Sequence, residues 1–398
     1  MQSTKTRDFL SGRLHQVDIQ SIEKELYKLW DEAERDQEAS QVTRACALNF
    51  IAFSHTGNGD INIEDIVSDI SVKHPSRAII ARAEDLQSGE EALDAWVTAR
   101  CHQVSGKPRQ QICCEQIIVE WKGKGTRQLV SVVAPLTLPD LPTCLWWHDP
   151  VLNLDVIRPF LCHVDRFIVD SRRLSEISGA NALLQLQNLK NATEKGSAVY
   201  DLNWVRLLPW RQALAESFDI KRGHLEIEDL DSISSVEIIE ENGTDDGDGK
   251  VTAQSWLFLG WLASRLSWQF DRIEAADSNN PEAPTTIYYR LNRTAIKVKL
   301  RRYRDPQNHD NKGRLREIRI KLRNEEHSVL RVWPDSVSPG LRTALLNAHG
   351  NIDDEDISHN PKSQIDLIDS ILNDPVKPRT FEEAVDAACA VLRRMRAK

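Results

Sequence analysis

The stretch CALNFIAF at residues 46–53 is followed by the polar stretch INIEDIVSDI at residues 61–70 and then by AIIA at residues 78–81. Short apolar, β-branched runs that alternate with polar stretches of helical length are typical of an α/β layer fold. The alternation continues in three more apolar runs and one more polar stretch, at residues 116–121, 129–133, 164–169 and 89–101. We therefore expect a mixed sheet with covering helices in the N-terminal part of the chain.

Two amphipathic helices are expected to cover this sheet. Within residues 18–38, apolar side chains recur at Ile22, Leu26 and Trp30 with Glu and Lys between them. This spacing places them on one face of a helix. Residues 178–189 carry alanines and leucines at the same kind of spacing, so a second helix is expected there.

A different pattern marks the C-terminal part. Residues 256–268 have a wide apolar face at helical spacing, and residues 381–395 form an amphipathic helix with a basic end, which suits the helix dipole. Between them, apolar and basic residues alternate in the stretches 296–301 and 318–323. Period-two alternation predicts two strands with one basic face. These strands need not be adjacent, although the polar run around Gly313 suits a long hairpin loop. We expect a C-terminal α+β domain with a basic-faced antiparallel strand pair.

An acidic, glycine-rich segment separates the two parts. Residues 226–250 are rich in Asp, Glu, Gly and Ser, a composition typical of a surface loop or linker. The terminal Glu and the ligand offsets of a calcium loop are missing. A chain of 398 residues favours two domains. We expect an α/β domain at residues 1–225, a linker at 226–250 and an α+β domain at 251–398.

The bulk composition excludes several classes of protein. No apolar run approaches the ~18 residues that a membrane span needs, and the first residues lack the apolar core of a signal peptide, so we expect a cytoplasmic protein. The net charge of −9 argues against indiscriminate nucleic-acid binding. Seven cysteines without a signal sequence argue against a secreted disulfide scaffold.

The segment DLNWVRLLPWR at residues 201–211 is the most informative for function. It sets two tryptophans beside two arginines and contains no acid, base or nucleophile in a catalytic spacing. Trp and Arg are enriched at the centres of protein interfaces, and Trp is also a common core residue, so the sequence leaves both roles open. The candidate anchors for a partner are Trp146, Trp147, Trp204, Trp210 and Arg211.

The basic face of the two C-terminal strands is a second candidate surface, with Lys299, Arg301, Arg319 and Lys321 on it. Three roles are open: a solvated face neutralised by the chain's own acidic segments, a protein-binding face and a nucleic-acid-binding face. The interleaved aromatic residues of a single-strand platform are missing apart from Tyr303. A protein partner is therefore favoured over nucleic acid.

Metal and cofactor signals are weak. Four potential zinc ligands lie within a short interval, at Cys144, His148, Cys162 and His163. Their spacing does not match the usual zinc knuckle, and adjacent residues on a strand point to opposite faces. The Gly-Asn-Gly turn at residues 57–59 lacks the remaining features of a phosphate-binding loop. We expect no metal and no cofactor.

A rival hypothesis is a sugar-phosphate-binding enzyme or sensor. In the run His74-Pro75-Ser76-Arg77, the Arg77 guanidinium and the Ser76 hydroxyl would hold a phosphate, with His74 beside them. The alternative role of the run is a strand entry fixed by Pro75.

Several separated segments together resemble the OpcA family of glucose-6-phosphate dehydrogenase assembly proteins from cyanobacteria and actinobacteria. They are IEKEL with a following Trp at residues 22–30, RACALN at 44–49, HPSRAII at 74–80, LPDLP with two Trp at 138–147, DRFIVDS at 165–171 and the segment 201–211. Their number and order make the resemblance specific from about residue 18 to residue 219.

The resemblance implies a non-catalytic protein that binds glucose-6-phosphate dehydrogenase, promotes its active oligomer and raises its activity in the oxidative pentose phosphate pathway. It also implies, for cyanobacterial members, a thioredoxin signal received through cysteines. The C-terminal region offers only Cys389, and a disulfide there would need a second thiol within ~7 Å between Cα atoms.

Overall fold

The computed structural model describes most of the chain. The described residues are 12–35, 42–56, 62–85, 91–104, 107–124, 126–174, 179–193, 197–219, 225–242, 251–274, 283–304, 314–324, 328–335, 340–347, 350–358, 362–374 and 376–396. The chain divides into two compact units, each built from separated segments. The first is Met1–Asp170, Asn191–Tyr200 and Gln364–Pro375, and the second is Ser171–Lys190, Asp201–Ser363 and Val376–Lys398. This division differs from the consecutive domains expected from the sequence.

Seventeen strands lie in the described residues: β1 (His15–Val17), β2 (Val42–Arg44), β3 (Leu48–His55), β4 (Ser76–Asp85), β5 (Ala92–Val104), β6 (Lys107–Gly123), β7 (Thr143–Trp147), β8 (Arg166–Val169), β9 (Ala198–Asp201), β10 (Ile233–Asn242), β11 (Gln269–Glu274), β12 (Thr285–Leu291), β13 (Thr294–Arg304), β14 (Leu315–Leu322), β15 (Val329–Pro334), β16 (Gly340–Asn347) and β17 (Gly350–Ser358).

Eleven α-helices accompany them in the same described ranges: α1 (Ile22–Arg35), α2 (Ile63–Lys73), α3 (Arg127–Val133), α4 (Leu154–Leu161), α5 (Ser171–Leu174), α6 (Gly179–Ala192), α7 (Leu202–Arg206), α8 (Leu208–Glu216), α9 (Ala253–Arg265), α10 (Gln364–Leu372) and α11 (Arg379–Arg396). The mixed α/β class expected from the sequence is confirmed, as are the helices α1, α6, α9 and α11.

The first unit is built on one sheet with the order β1-β5-β6-β4-β3-β7-β8-β9, and β2 also pairs with β6. Strands β6, β4, β3, β7 and β8 run parallel. The parallel strands therefore begin at the central strand β3 and continue outward through β4 to β6. The chain then returns to the centre and adds β7 and β8 on the other side of β3. This is the order of a doubly wound α/β sheet. Phe50, Ile51, Ala52 and Phe53 in β3 are all at most 1% exposed, as expected for a parallel strand that is covered on both faces.

Two expected elements of the first unit are wrong. Residues 89–101, predicted as helix, contain most of β5, which pairs antiparallel with both β6 and β1. The alternating buried residues Ala95, Val97 and Ala99 are the period-two signal of a strand, which the helix prediction overlooked. Residues 129–133, predicted as a strand, belong to α3, because tertiary packing overrides the β-propensity of its valines.

The second unit is built on a mixed sheet with the order β11-β12-β13-β10-β14-β15-β16-β17. Its central strand β10 pairs parallel with β13 and antiparallel with β14. The two basic strands β13 and β14 therefore run antiparallel to each other, as expected, but β10 lies between them, so they do not form a hairpin. The predicted linker at residues 226–250 is wrong where it is described, because it contains β10; residues 243–250 lie outside the described residues.

Helices cover one face of this second sheet. Helix α9 contacts β10, α11 contacts β11, and α8 contacts β15 and β16. Val236, Val298 and Ile318 on that face have no exposed surface. The alternating residues of the same strands form the opposite face, which we call the outer face. Its central members are Lys297, Lys299, Arg301, Ser235, Glu237, Glu317, Arg319 and Lys321.

Candidate functional site

Doubly wound sheets bind ligands outside the carboxyl ends of their strands, where the winding direction reverses. In the first unit this position lies between β3 and β7. The imidazole Nδ1 of His55, at the end of β3, contacts the carboxylate of Asp149, which follows β7. Asp149 also accepts a hydrogen bond from the Val151 amide at 2.8 Å. The indole Nε1 of Trp147 donates to the Val151 carbonyl at 3.0 Å. The chain's own side chains thus tie the two strand ends together.

The helix that follows β3 begins with residues that disfavour a phosphate. The Asn62 side chain caps α2 by accepting from the Asp65 amide at 3.4 Å, and the first turn carries Glu64 and Asp65. A helix N-terminus attracts anions through its dipole, but these carboxylates already occupy that field and would repel a pyrophosphate. Glu64 is in turn paired with Arg82 at 2.5 Å. The predicted turn at residues 57–59 lies outside the described residues.

Arg77 is fully engaged by its own chain. Its side chain is 2% exposed, and its Nε donates to Glu115 Oε2 at 2.7 Å. Its Nη1 donates to Glu23 at 2.5 Å and to the Leu136 carbonyl at 3.0 Å. Burial opposes the charge, yet Glu115 and Glu23 outweigh burial and hold the pKa of Arg77 above its usual value. Carboxylates and a carbonyl of the chain itself thus engage Arg77, and its side chain has almost no exposed surface on which to bind the phosphate of the rival hypothesis.

The other two residues of the predicted anion site point elsewhere. His74 Nε2 lies 2.7 Å from Asp369 Oδ1 in α10. The buried Ser76 hydroxyl is bonded to the Ser71 hydroxyl at 3.1 Å. Burial raises the pKa of Asp369, but hydrogen bonds from His74 and Lys73 lower it more, so the pKa lies below its usual value. In the described structure the side chains of His74 and Ser76 thus bond to other residues of the chain, and these contacts do not assemble the anion site of the sugar-phosphate hypothesis.

Trp146 and Trp147 are core residues. They are 0% and 2% exposed, and the Trp147 ring stacks on Phe53 with centroids 4.0 Å apart. A buried side chain offers no surface to a partner, so of the two roles that the sequence left open, Trp146 and Trp147 have the core role in this structure.

The segment at residues 201–211 is arranged differently. Trp204 and Trp210 are both 8% exposed, so they are mainly packing residues, and the Trp204 ring lies against Phe381 with centroids 5.7 Å apart. Arg211 remains partly exposed, with its guanidinium carbon 3.6 Å from the Trp204 ring centroid. Its Nη2 donates to the Trp204 carbonyl at 3.2 Å. Burial lowers the pKa of Arg211 to about 10.

The outer face of the second sheet mixes cations with two acids. Lys299 Nζ lies 3.2 Å from Glu237 in the central strand, and Arg319 lies 3.9 Å from the same carboxylate. Arg319 and Arg331 also donate to Glu317 at 2.7 and 2.6 Å. Burial raises the pKa of Glu317, but these hydrogen bonds lower it more, so it lies below its usual value. The acids of β10 and β14 thus neutralise part of the basic face.

Three of the four predicted cations remain accessible on this face, and one of them, Arg319, is 43% exposed. Arg301 is 40% exposed and lies 3.5 Å from Glu237, and Lys321 is exposed. The outer face therefore keeps an excess of positive charge at its centre. All four basic residues predicted for a partner surface, Lys299, Arg301, Arg319 and Lys321, do share one face.

The described structure contains a disulfide that does not involve Cys389, the residue named in the sequence-based redox hypothesis. Cys389 is the only cysteine in the sequence of the second unit. Its buried Sγ donates to the Leu183 carbonyl at 3.3 Å, and burial raises its pKa to about 12. A disulfide instead joins Cys101 in β5 to Cys113 in β6, at paired positions with Cα atoms 4.0 Å apart. This pairing was not expected from the sequence, because a helix was predicted at residues 89–101 where β5 lies.

Cys101 is the more accessible end of that disulfide. Cys113 has no exposed surface, whereas Cys101 is partly exposed. Cys101 lines a pocket of about 180 Å³ together with Arg100, His102 and Ser68. A thiol from outside would therefore meet the Cys101 sulfur first.

The four residues that the sequence offered as potential zinc ligands are not assembled into a site in the described structure. Cys144 is buried and Cys162 is exposed, and within the described ranges no three His, Cys, Asp or Glu side chains are grouped to hold a metal ion. In the same part of the chain, no helix combines the length and the apolar character needed to cross a membrane.

Similarity searches found solved structures of dehydrogenase type. Glucose-6-phosphate 1-dehydrogenase from Mycobacterium avium is 12% identical, with 89% of this chain and 92% of that chain covered and a TM-score of 0.47. A 3-ketoreductase from Actinomadura kijaniata is 9% identical, with 87% and 96% covered and a TM-score of 0.48.

Curated relatives come from cyanobacteria and are named OxPP cycle protein OpcA. The protein of Synechocystis sp. is 32% identical over 212 residues, which cover 52% of this chain and 41% of the relative. The protein of Nostoc punctiforme is 30% identical over 205 residues, covering 51% and 40%. The matched region thus spans less than half the length of these relatives.

Two family models match the chain in order. The first, described as the N-terminal domain of a glucose-6-phosphate dehydrogenase subunit, matches residues 67–188. The second, described as the C-terminal domain of the same kind of subunit, matches residues 197–385. Together these matches cover most of the chain, and the chain therefore belongs to the OpcA family.

Proposed function

We propose that this protein is a non-catalytic cytoplasmic subunit that binds glucose-6-phosphate dehydrogenase, promotes its active oligomer and raises its activity. The observation that carries the proposal is the ordered match of two dehydrogenase-subunit domain models at residues 67–188 and 197–385. The names of the cyanobacterial relatives, which place them in the oxidative pentose phosphate cycle, support the same pathway.

The crevice of the first unit supports a non-catalytic role. Where a doubly wound fold would hold a dinucleotide, His55 contacts Asp149 across the strand ends. The first turn of α2 carries Glu64 and Asp65, which oppose a pyrophosphate. A subunit that works by binding needs no such cofactor.

The outer face of the second sheet is the proposed docking surface. Its excess of cations, with Arg301 and Lys321 accessible, would steer an acidic patch of the dehydrogenase and speed the encounter. A ligand shifts an equilibrium only by its differential affinity for the two states. A tenfold shift toward the active oligomer needs about 1.4 kcal/mol, which two or three interface residues can supply.

We assign the thioredoxin response that the family resemblance implies to the disulfide Cys101–Cys113 rather than to Cys389. A dithiol such as thioredoxin would attack the accessible Cys101 sulfur. It would leave with an internal disulfide, and Cys101 and Cys113 would become thiols. That change would loosen the pairing of β5 with β6, which holds one side of the first sheet.

The proposal is tested by mixing the purified protein with its cognate dehydrogenase. Complex formation is measured by size-exclusion chromatography with light scattering, and kcat and KM are measured with and without the protein. We expect a stable complex, a larger dehydrogenase oligomer and a raised kcat/KM. A dehydrogenase whose oligomeric state and kinetics do not change would refute the proposal.

Charge-reversal variants test whether the outer face of the second sheet binds the dehydrogenase. The double variant Arg301→Glu and Lys321→Glu should slow association, most clearly at low salt. The matched control is Arg35→Glu on α1 of the first unit, where the arginine is also exposed and no change is expected. Repeating the kinetics after treatment with dithiothreitol, with a Cys101→Ser and Cys113→Ser variant as control, tests the redox response separately.

A further inference from the structure

Arg211 is a stacked arginine without a carboxylate. Three arginines of the second unit lie closely over aromatic rings, with the guanidinium carbon 3.6 to 3.8 Å from the ring centroid, at Arg211, Arg272 and Arg316. Arg272 is paired with Asp271 at 3.0 Å and lies 3.6 Å from Glu274. Arg316 lies 3.3 Å from Glu241. Arg211, in contrast, has no carboxylate partner among the described residues.

The surroundings of Arg211 do little to stabilise its positive charge in the absence of a carboxylate. One face of the guanidinium is covered by the Trp204 ring, and the only hydrogen bond it donates within the described chain goes from Nη2 to the Trp204 carbonyl. Its Nε is buried and has no acceptor. A partly buried cation that lacks a counter-ion destabilises the folded state. Burial of this charge also lowers the pKa of Arg211 to about 10. Within the described chain, no carboxylate compensates the buried charge.

From this geometry we infer that Arg211 is the recognition residue of a carboxylate-binding site, and that it accepts an Asp or Glu side chain of the dehydrogenase. The inference rests on the proposed function for the identity of the partner. Because Nε is buried while the side chain stays partly exposed, an incoming carboxylate meets the Nη nitrogens. The stacked ring holds the planar donor in place, so little side-chain entropy remains to be lost on binding.

A single carboxylate fits this site better than a phosphate. Arg211 is one monovalent cation over an apolar ring, and a doubly charged phosphate requires further donors. Low solvent exposure strengthens a charge-assisted hydrogen bond, and arginines seated in this way are often the energetic centres of interfaces. Trp204 then acts as a positioning residue beneath Arg211, which reconciles its burial with the recognition role that the sequence suggested for this segment.

The test compares Arg211→Gln and Arg211→Lys with the control Arg272→Gln, in which a closely stacked arginine with its own carboxylates is changed. The dissociation constant for the dehydrogenase is measured by calorimetry, and the melting temperature of each free variant is recorded. We expect Arg211→Gln to weaken binding by about tenfold or more, Arg211→Lys to recover part of this loss, and Arg272→Gln to bind like the wild type.

The melting temperature separates a binding role from a structural one. Because Arg211→Gln removes a charge that has no partner in the free protein, its melting temperature should equal or exceed that of the wild type. Binding by Arg211→Gln that equals wild-type binding would overturn the inference. So would a weaker affinity accompanied by a lowered melting temperature, since that points to a structural role.

A second arm keeps the inference testable if the wild type does not bind the dehydrogenase, which would refute the proposed function alone. The melting temperature is then followed in sodium acetate and in sodium phosphate, against sodium chloride at equal ionic strength. A saturable rise in acetate that Arg211→Gln lacks supports the carboxylate site. An equal response of both proteins, or a response to phosphate alone, overturns it.

Discussion

Gly260 of α9 lies directly against the backbone of Ala384 in α11, so closely that a β-carbon at Gly260 would overlap the Ala384 carbonyl oxygen. These two helices make the main helix–helix contact of the second unit. The absence of a side chain at Gly260 therefore sets the distance between them.

We predict that Gly260→Ala destabilises the second unit despite the higher helix propensity of alanine. The added methyl group forces α9 and α11 apart, and overpacking of this kind costs about 1–3 kcal/mol. Differential scanning calorimetry should record a lower melting temperature. The control is Ala390→Ser on the exposed side of α11, which should lower the melting temperature only slightly, through the lower helix propensity of serine. An unchanged Gly260→Ala transition would contradict the close packing of α9 against α11.

The buried ion pair Arg77–Glu115 should be essential to the first unit. Both side chains are at most 3% exposed, so Glu115→Gln leaves a buried cation without its main partner and should cost about 3–5 kcal/mol. The surface pair Lys122–Glu84, 44% and 40% exposed, is the matched comparison, and Lys122→Ala should cost less than about 1 kcal/mol. Urea unfolding measures both. Similar losses for the two variants would show that burial does not govern the effect.

Glu317 predicts a defined pH dependence. Its folded-state pKa lies below the usual value because Arg319 and Arg331 donate to it. Its ion pairs therefore add to the free energy of unfolding above the unfolded-state pKa of about 4.3, and that contribution is lost as the pH falls through the folded-state pKa.

The melting temperature of Glu317→Gln should thus lie below that of the wild type at pH 7, and the gap should close on acidification toward pH values below the folded-state pKa. Glu228→Gln, which changes an exposed carboxylate, should follow the wild type throughout. A gap that is constant with pH would mean that the glutamine affects packing rather than charge.

The free thiols should differ sharply in reactivity. Burial raises the pKa of Cys144 and of Cys389 to about 12, so almost no thiolate forms at pH 7.5 and the folded protein should resist iodoacetamide at both positions. Cys162 is exposed and should react first. Peptide mass spectrometry determines the order in which the cysteines are alkylated. Cys101 should become labelled after reduction of its disulfide. Rapid labelling of Cys389 in the native protein would contradict its burial.

Regular periodicity made much of the fold predictable. Helices α1, α6, α9 and α11 carry apolar residues at helical spacing, and β13 and β14 alternate apolar with basic residues. The spacing of the apolar residues therefore predicts whether each element is a helix or a strand. The errors fell where composition and pattern disagreed. In β10 polar residues dominate the composition, and in β5 charged and polar residues interrupt the apolar ones, while the period-two apolar positions Val97, Ala99, Val236 and Ile238 are buried.

The candidate site was less predictable than the fold. Tryptophan and arginine types pointed to recognition, yet Trp146 and Trp147 are packed in the core, where their size suits a sheet covered on both faces. The strand order brings Glu237 between Lys299 and Arg319. An acid that lies 62 positions from Lys299 along the chain thus stands in the middle of the basic face. No local pattern contains that information, because a sheet pairs strands regardless of their separation in sequence.

The sequence by itself determined the family, the mixed α/β class and the elements whose apolar residues repeat with a helical or strand period, because these depend on residues close together in the chain. Only the tertiary structure decided which charges are satisfied. Arg77 and Arg211 are equivalent as residues, but Arg77 finds Glu115 at a distance of 38 positions along the chain, while Arg211 is folded against Trp204 with no carboxylate in reach among the described residues. Electrostatic pairing depends on distance in space and on exclusion of water, and the packing of remote segments sets both.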